Sequence, residues 1–385
     1  MVSYGVLSTY PPTQCGLATF SHALGQSLNA SQDVPGAGAR TTTGVVAIVD
    51  HRDARPLPEV THQWVRGQVA GALGAAEALN AFDLAIIQHE FGIFGGRDGS
   101  DVLDVARAIR VPTILVLHTV LVNPSRHQQA IVDELISRSA AVVVMTETAR
   151  HRLLERYAVD PEAVRVIPHG AADNAPDPAT ARPANQRPVI LTWGLLGEGK
   201  GIEWAIEAMA ELSDLVPRPV YRVVGETHPR VVERQGEKYR DELIGRALRL
   251  GLADWVQFDA RYLDGHELKR VVQQADVVLL PYDSVEQVTS GVLIEAVTAG
   301  KPIVSTGFPH ARELLGSGAG LVVERCDPMA IAGALRRVLT EPGLAPRMAA
   351  AASRLAPNLL WPAVAAQYRA LAADALSPRQ QRATA

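Results

Sequence analysis

Apolar residues along this chain come in short β-branched runs, separated by longer stretches in which they recur every three or four positions. Runs at 4–10, 44–50, 84–89, 113–118, 141–146 and 164–168 predict strands in the first half. Helical periodicity lies between them, for example at 18–28, 102–109 and 148–157. Strands alternating with helices predict an α/β architecture of parallel sheets covered on both faces. The alternation stops at 174–188, NAPDPATARPANQRP, which reads as a linker. It restarts with strand patterns at 189–194, 221–225, 256–259, 277–282, 303–306 and 321–323. Two doubly wound domains of similar size are therefore expected, 1–173 and 189–360, joined by a hinge over 174–188. Helical patterns at 344–356 and 361–376 follow the last strand, and the segment 361–385 is a candidate to pack back on the first domain. Ligands of such sheets bind beyond the carboxyl ends of the strands. Two domains facing each other across a cleft would put the residues after each strand around a shared ligand.

Composition narrows the picture. The 385 residues are 47 % hydrophobic and 20 % charged, as expected of a globular chain long enough for two cores. A net charge of −4 gives no support to nucleic-acid binding. Cys15 and Cys326 are too far apart in sequence for a metal-ligand spacing or a disulfide framework, so a reducing cytoplasm is the expected compartment. The first residues show no basic stretch followed by an apolar one, and no signal peptide is expected. No apolar run approaches the ~20 residues of a membrane span. Peripheral contact with a membrane stays open.

Four constellations follow predicted strands. In EQVTSGVLIEAVTAGKPIVST (286–306), Thr289, Ser290 and Gly291 open a helix. An N-cap hydroxyl, free amides and the helix dipole suit a phosphate or diphosphate. Glu295 sits one turn inside that otherwise apolar helix, where an unpaired carboxylate is costly. It either accepts hydrogen bonds from a vicinal diol such as a ribose, or is a structural glutamate paired with an arginine or with backbone N–H groups. In LTWGLLGEGKGIEWAIEAM (191–209), Lys200 is the first lysine of the chain and closes a Gly-rich loop. It is either a phosphate-binding point charge or a solvated surface lysine. In STYPPTQCGLATFSHAL (8–24), Gly16 either lets a diphosphate or sugar approach or marks a tight turn. His118 and the pair His89-Glu90 end apolar strands, the pair being followed by Gly95-Gly96. His118 is read as a sugar contact and His89-Glu90 as part of an acceptor loop, against structural histidines. No DxD, HExxH or GxSxG occurs, so neither a metal-held diphosphate nor a hydrolase nucleophile is expected, and no metal ligand is assigned.

Placed in this order, these segments resemble glycosyltransferase family 4, retaining enzymes of GT-B fold, over nearly the whole chain. IEAVTAGKPIVST, RVIPHG, GLLGEGKGIE and DPMAIAGALRRVL carry the resemblance, and CGxATF with QxTSG places the chain in a recognisable subgroup. Two positions depart from the family pattern. Gln287, beside Glu286, stands where a first glutamate is usual, and Leu195 where an arginine is usual. The resemblance implies a GT-B fold of two Rossmann-like domains. It implies metal-independent, cofactor-free transfer of a hexose, mannose or glucose, from a GDP- or UDP-linked donor to an unidentified hydroxyl acceptor. It implies Lys200, His118 and Gln287 as catalytic residues, with Lys200 on the leaving diphosphate and Gln287 on sugar hydroxyls. Gly16, Glu286, Thr289, Ser290, Gly291, Val292 and Glu295 would bind the donor, Ser290 to Val292 through their amides and Glu295 through the ribose. His89 and Glu90 would face the acceptor. The alternative from another class is a GT-B protein that binds a nucleotide sugar with little or no transfer.

Overall fold

The computed structural model describes residues 2–30, 42–176 and 186–377. Much of the expected linker, 177–185, lies outside the described residues. The chain divides into two compact units, one formed by Met1–Gly170 with Trp361–Ala385 and the other by Ala171–Leu360.

The first unit holds seven strands: β1 (Tyr4–Ser8), β2 (Thr43–Val49), β3 (Val60–Val65), β4 (Leu84–His89), β5 (Thr113–Leu117), β6 (Ala141–Val144) and β7 (Val164–Val166). They form one parallel sheet in the order β3-β2-β1-β4-β5-β6-β7. The central strands β1, β4, β5 and β6 are buried along their whole length, which is why they read as unbroken apolar runs. The edge strand β3 escapes that pattern. Its sequence VTHQWV turns Trp64 inward, and only that residue is fully buried, while Thr61 faces solvent.

The second unit holds β8 (Val189–Trp193), β9 (Val220–Val224), β10 (Val256–Asp259), β11 (Val277–Leu280), β12 (Ile303–Thr306) and β13 (Gly320–Val323), again parallel, in the order β10-β9-β8-β11-β12-β13. Alternate side chains feed two cores. Ile190, Tyr221, Val223, Val277 and Leu279 meet the helices Ile202–Ala210, Lys238–Arg249 and Pro328–Thr340 on one face. Leu191, Trp193, Val224, Val278 and Leu280 meet the helices Gly291–Thr298 and Leu344–Leu359 on the other. In both sheets the strand order reverses beside the first strand of the unit, so that β1 lies against β4 and β8 against β11. This switch point is where such sheets leave a crevice at their carboxyl ends.

The chain returns to the first unit at Trp361. The helix Trp361–Ala375 buries Val364, Ala365, Tyr368 and Ala372 against Phe20, Leu24 and Leu28 of the helix Gly16–Ala30. Gly170 faces the Trp361 indole, where a Cβ would come within 2.3 Å of the ring. In the second unit, the Ala171 N–H donates to the Leu359 carbonyl at 2.8 Å. Among the described residues, no helix is long and apolar enough to cross a membrane.

The returning helix carries a test of its packing. Tyr368 is fully buried and its hydroxyl has no hydrogen-bond partner among the described residues. Tyr368→Ala is expected to cost roughly 3–5 kcal/mol through the cavity it leaves. Tyr368→Phe is expected to be neutral or stabilising by about 1 kcal/mol, since it removes an unsatisfied buried polar group. Denaturant unfolding of the two variants checks this; a Phe variant that loses stability would reveal a partner for the hydroxyl.

Candidate functional site

The second unit's candidate residues gather where β8 and β11 end. The Gly-rich loop after β8 is fastened to the segment after β11. The Asp283 N–H donates to the Gly199 carbonyl at 2.9 Å. Gly201 adopts φ +65° and packs so closely on Pro281 that a Cβ would lie 1.9 Å from its carbonyl oxygen. Only glycine satisfies both the left-handed backbone and that approach. The loop places Lys200 Nζ 4.5 Å from the centroid of the Tyr282 ring. Among the described residues no carboxylate forms an ion pair with Lys200. Burial pushes its pKa down to about 8.

Beyond Tyr282, the Ser284 hydroxyl accepts from the Glu286 and Gln287 amides at 3.3 and 3.2 Å and folds the loop back toward the helix Gly291–Thr298. Ser290 is the N-cap, its hydroxyl accepting from the Leu293 N–H at 3.2 Å. The Ile294 N–H donates to the Ser290 carbonyl at 3.3 Å. Of the helix's first amides, those of Gly291 and Val292 thus have no acceptor among the described residues. Ser290 departs from the expectation that its amide faces a ligand. That N–H is already donated to His310 Nδ1 at 2.9 Å, so Ser290 caps the helix and locks the loop. The Thr289 hydroxyl is buried and makes no hydrogen bond among the described residues. Gln287 and Glu286 are half-buried in the same loop. Gly194, at the end of β8, faces the Val292 side chain, to which a Cβ would stand 3.6 Å away.

Among the described residues, Glu295 pairs with neither an arginine nor a backbone N–H. Its Oε2 accepts from the Trp193 indole N–H at 2.9 Å. Burial raises its pKa, and the indole bond offsets part of that rise.

In the first unit, Gly16 is exposed at the start of the helix Gly16–Ala30, with nothing within 4 Å of the place a Cβ would take. The Cys15 thiol sits at the same helix end, accepting from the Ala18 N–H at 3.4 Å and lying 3.1 Å from the Thr9 hydroxyl. His118 is half-buried, its Nε2 paired at 2.7 Å with the Gln88 side-chain amide. The Phe20 ring meets His118 and His169 edge-on, each at 4.9 Å. Burial pushes the His118 pKa down to about 3 and that of His169 to about 4, so both rings are neutral at ordinary pH.

The acceptor pair separates. Glu90 is half-buried and accepts from the Thr119 hydroxyl. Its pKa is raised by burial, against the Thr119 bond and backbone N–H groups that lower it. His89 is fully buried between Phe91 and Phe94, with both ring nitrogens unbonded among the described residues, and burial pushes its pKa down to about 4. The imidazole is thus enclosed within the first unit, at 0 % exposure.

Trp193, Tyr282, His310, Gln88 and His169 are the partners that sequence reading did not single out. Trp193 and Tyr282 carried a signal, since each ends or follows an apolar strand of the second unit. His310 carried none, being joined to Ser290 only by folding. Among the described residues, no three His, Cys, Asp or Glu side chains gather where they could hold a metal ion.

Known proteins match this chain along both units. The family model for Glycosyltransferase Family 4 matches residues 37–174, and that for Glycosyl transferases group 1 matches residues 175–355. The D-inositol 3-phosphate glycosyltransferase of Frankia alni is 27 % identical over 358 residues, 86 % of this chain and 85 % of that protein. The protein of the same name from Corynebacterium diphtheriae is 28 % identical over 290 residues, which span 69 % of this chain and 66 % of that protein. The structure of Anabaena HepE in complex with UDP and glucose superposes with a TM-score of 0.74 at 16 % identity, covering 97 % of this chain and 100 % of that one.

The electrostatics of Glu295 make a stability prediction. A carboxylate whose folded pKa is raised contributes its full stability below the unfolded value of about 4.3 and loses it as pH rises through the folded value. Glu295→Gln removes the charge and keeps an acceptor for Trp193. It is therefore expected to be more stable than the wild type at neutral pH, with the gap closing on acidification. Thermal unfolding across pH checks this, and a less stable variant at pH 7 would assign Glu295 to a structural pairing instead.

Proposed function

We propose, for a chain that belongs to glycosyltransferase family 4 and carries its GT-B fold, that it moves a hexose from a UDP- or GDP-linked donor to a hydroxyl acceptor, with retention of anomeric configuration and without a divalent metal. The observation that carries this reading is the group at the β8 and β11 ends: an ammonium with no acidic partner among the described residues, two helix amides with no acceptor among them, and a carboxylate one turn further in. Those three features match, in kind, a diphosphate flanked by a ribose. Hexose donors are supported by the neighbour solved with UDP and glucose, and metal independence by the lack of any DxD pair.

On this reading Lys200 and the amides of Gly291 and Val292 bind the diphosphate. Glu295 accepts from the ribose hydroxyls, turning from or sharing with the Trp193 indole. Gln287, Glu286 and Thr289 line the sugar side. Within the first unit taken by itself, Gly16 has open surroundings that allow close approach of a ligand, and His118 carries an imidazole suited to a sugar hydroxyl. Glu90 stays the acceptor-side candidate.

The chemistry follows from where charge develops. The anomeric C–O bond breaks and its electron pair goes to the departing phosphate oxygen, while the sugar ring becomes positive. The acceptor hydroxyl oxygen bonds to the anomeric carbon from the same face, and its proton passes to that phosphate oxygen. No protein nucleophile is required, which accommodates Gln287 in place of a carboxylate. What the protein must supply is preorganised positive charge at the leaving group.

Release of nucleoside diphosphate from UDP- and GDP-hexoses is the direct test, with product stereochemistry read by NMR. Turnover is expected to persist in excess EDTA; abolition rescued by Mg²⁺ or Mn²⁺ would contradict metal independence. Binding of a nucleotide sugar with no transfer or hydrolysis would favour a binding protein.

Lys200→Ala is expected to lower kcat by roughly two to three powers of ten, the scale of losing one preorganised donor. The donor KM should move less, because charge on the leaving group grows as the bond breaks. Lys200→Arg should recover only part of the loss, since a planar fork replaces a point charge poorly. Steady-state kinetics of the two variants check this, and a near-normal kcat in the Ala variant would place another cation at the leaving group.

A further inference from the structure

We propose that Tyr282 is a positioning residue: the face of its ring holds the Lys200 ammonium in place of an acidic partner, so that the lysine's charge stays available to an incoming diphosphate. The inference rests on the proposed donor reading and adds to it a residue that touches no substrate.

Three observations carry it. Lys200 Nζ lies 4.5 Å from the Tyr282 ring centroid, well inside the range of a cation–π contact. Tyr282 is fixed: it is 1 % exposed, and its ring stacks on Phe308 with centroids 5.2 Å apart and planes 27° from parallel. The two segments are also held together by their backbones, through Asp283 to Gly199 and through the contact of Gly201 with Pro281. The ring and the ammonium therefore keep one relative position.

The nearby acids have partners of their own. Asp283, the nearest acid in the chain to Tyr282, is tied to Arg325 at 2.8 Å. Glu295 is bonded to Trp193. His228, whose pKa is lowered first by burial and then by the charge of Lys200, adds no negative charge. A carboxylate in the ring's place would hold the lysine as firmly, but it would cancel its charge and repel a diphosphate. A ring quadrupole attracts the cation while carrying no net charge.

The test uses the full chain and reads Lys200 directly. Trace acetylation across pH, followed by peptide mass spectrometry, gives the titration of that one amine without reference to activity. Tyr282→Phe keeps the ring face and is expected to leave the titration in place. Tyr282→Leu is expected to move it to lower pH by about one unit, as loss of a desolvated cation–π contact requires. Tyr282→pentafluorophenylalanine keeps the volume and stacking but drains the ring face, so it should move the titration like Leu even if the Leu variant folds poorly. Donor kcat should fall in the same order and be rescued by Phe.

A titration unmoved by the fluorinated ring would overturn the proposal alone. Calorimetric titration of the wild type with UDP and GDP is the separate control. A chain that binds neither would overturn the donor reading, and with it the purpose assigned to the unpaired charge.

Discussion

Gly201 meets the carbonyl of Pro281 at a distance that excludes any side chain, and one residue pair further out Asp283 donates to Gly199. These contacts join the loops that follow two neighbouring strands, β8 and β11, at the switch point of the sheet. Everything on that edge of the second unit takes its position from this seam. Lys200 is carried inward over Tyr282 and loses much of its water. The segment from Tyr282 onward leaves the sheet in a direction set by the seam, and Ser284, Ser290 and His310 then fold it onto the helix Gly291–Thr298. The seam consists of backbone contacts. The side chains beside it are therefore free to be chosen for charge rather than for holding the loops together.

The charge pattern has a common logic. Lys200 and Glu295 are each half-buried; among the described residues the ammonium has no acidic partner, and the carboxylate has the Trp193 indole N–H. Partial burial of a charged group that lacks an opposite charge lowers stability. The two groups, each beside a neutral aromatic neighbour, lie at the same edge of the second unit. A ligand with a negative group and a diol would satisfy both at once. The first unit is built differently: His89, His118 and His169 are held neutral by burial and enclosed by aromatic rings, so that edge is shaped more by packing than by charge.

The sequence made the sheets largely legible, because buried parallel strands announce themselves as continuous apolar runs. All six strands of the second unit and six of the seven in the first coincide with predicted runs, although β7 (VRV) and β10 (VQFD) are interrupted by polar residues. The strand β3 was not, since VTHQWV carries polar residues through its middle and buries only Trp64 fully. Glycine-rich turns and the helix starting at Gly291 were legible for the same local reason. Contacts between distant segments were not. The bond from Trp193 to Glu295 spans 102 positions and that from Ser290 to His310 spans 20. Nothing in either residue's neighbourhood encodes its partner. The enclosure of His89 was illegible for the same reason: strand ends look alike in sequence whether they open to solvent or lie beneath Phe91 and Phe94.

The indole of Trp193 gives this protein a built-in optical reporter. Its N–H is hydrogen-bonded to the one carboxylate set inside the helix that begins at Gly291. Indole emission responds to the charge and hydrogen bonding at that nitrogen, so any molecule that draws on Glu295 alters the colour or yield of Trp193 fluorescence without a label. The other four tryptophans supply a background that Trp193→Phe subtracts. Occupancy of the carboxylate can thus be followed in solution, ligand by ligand, before an acceptor is known.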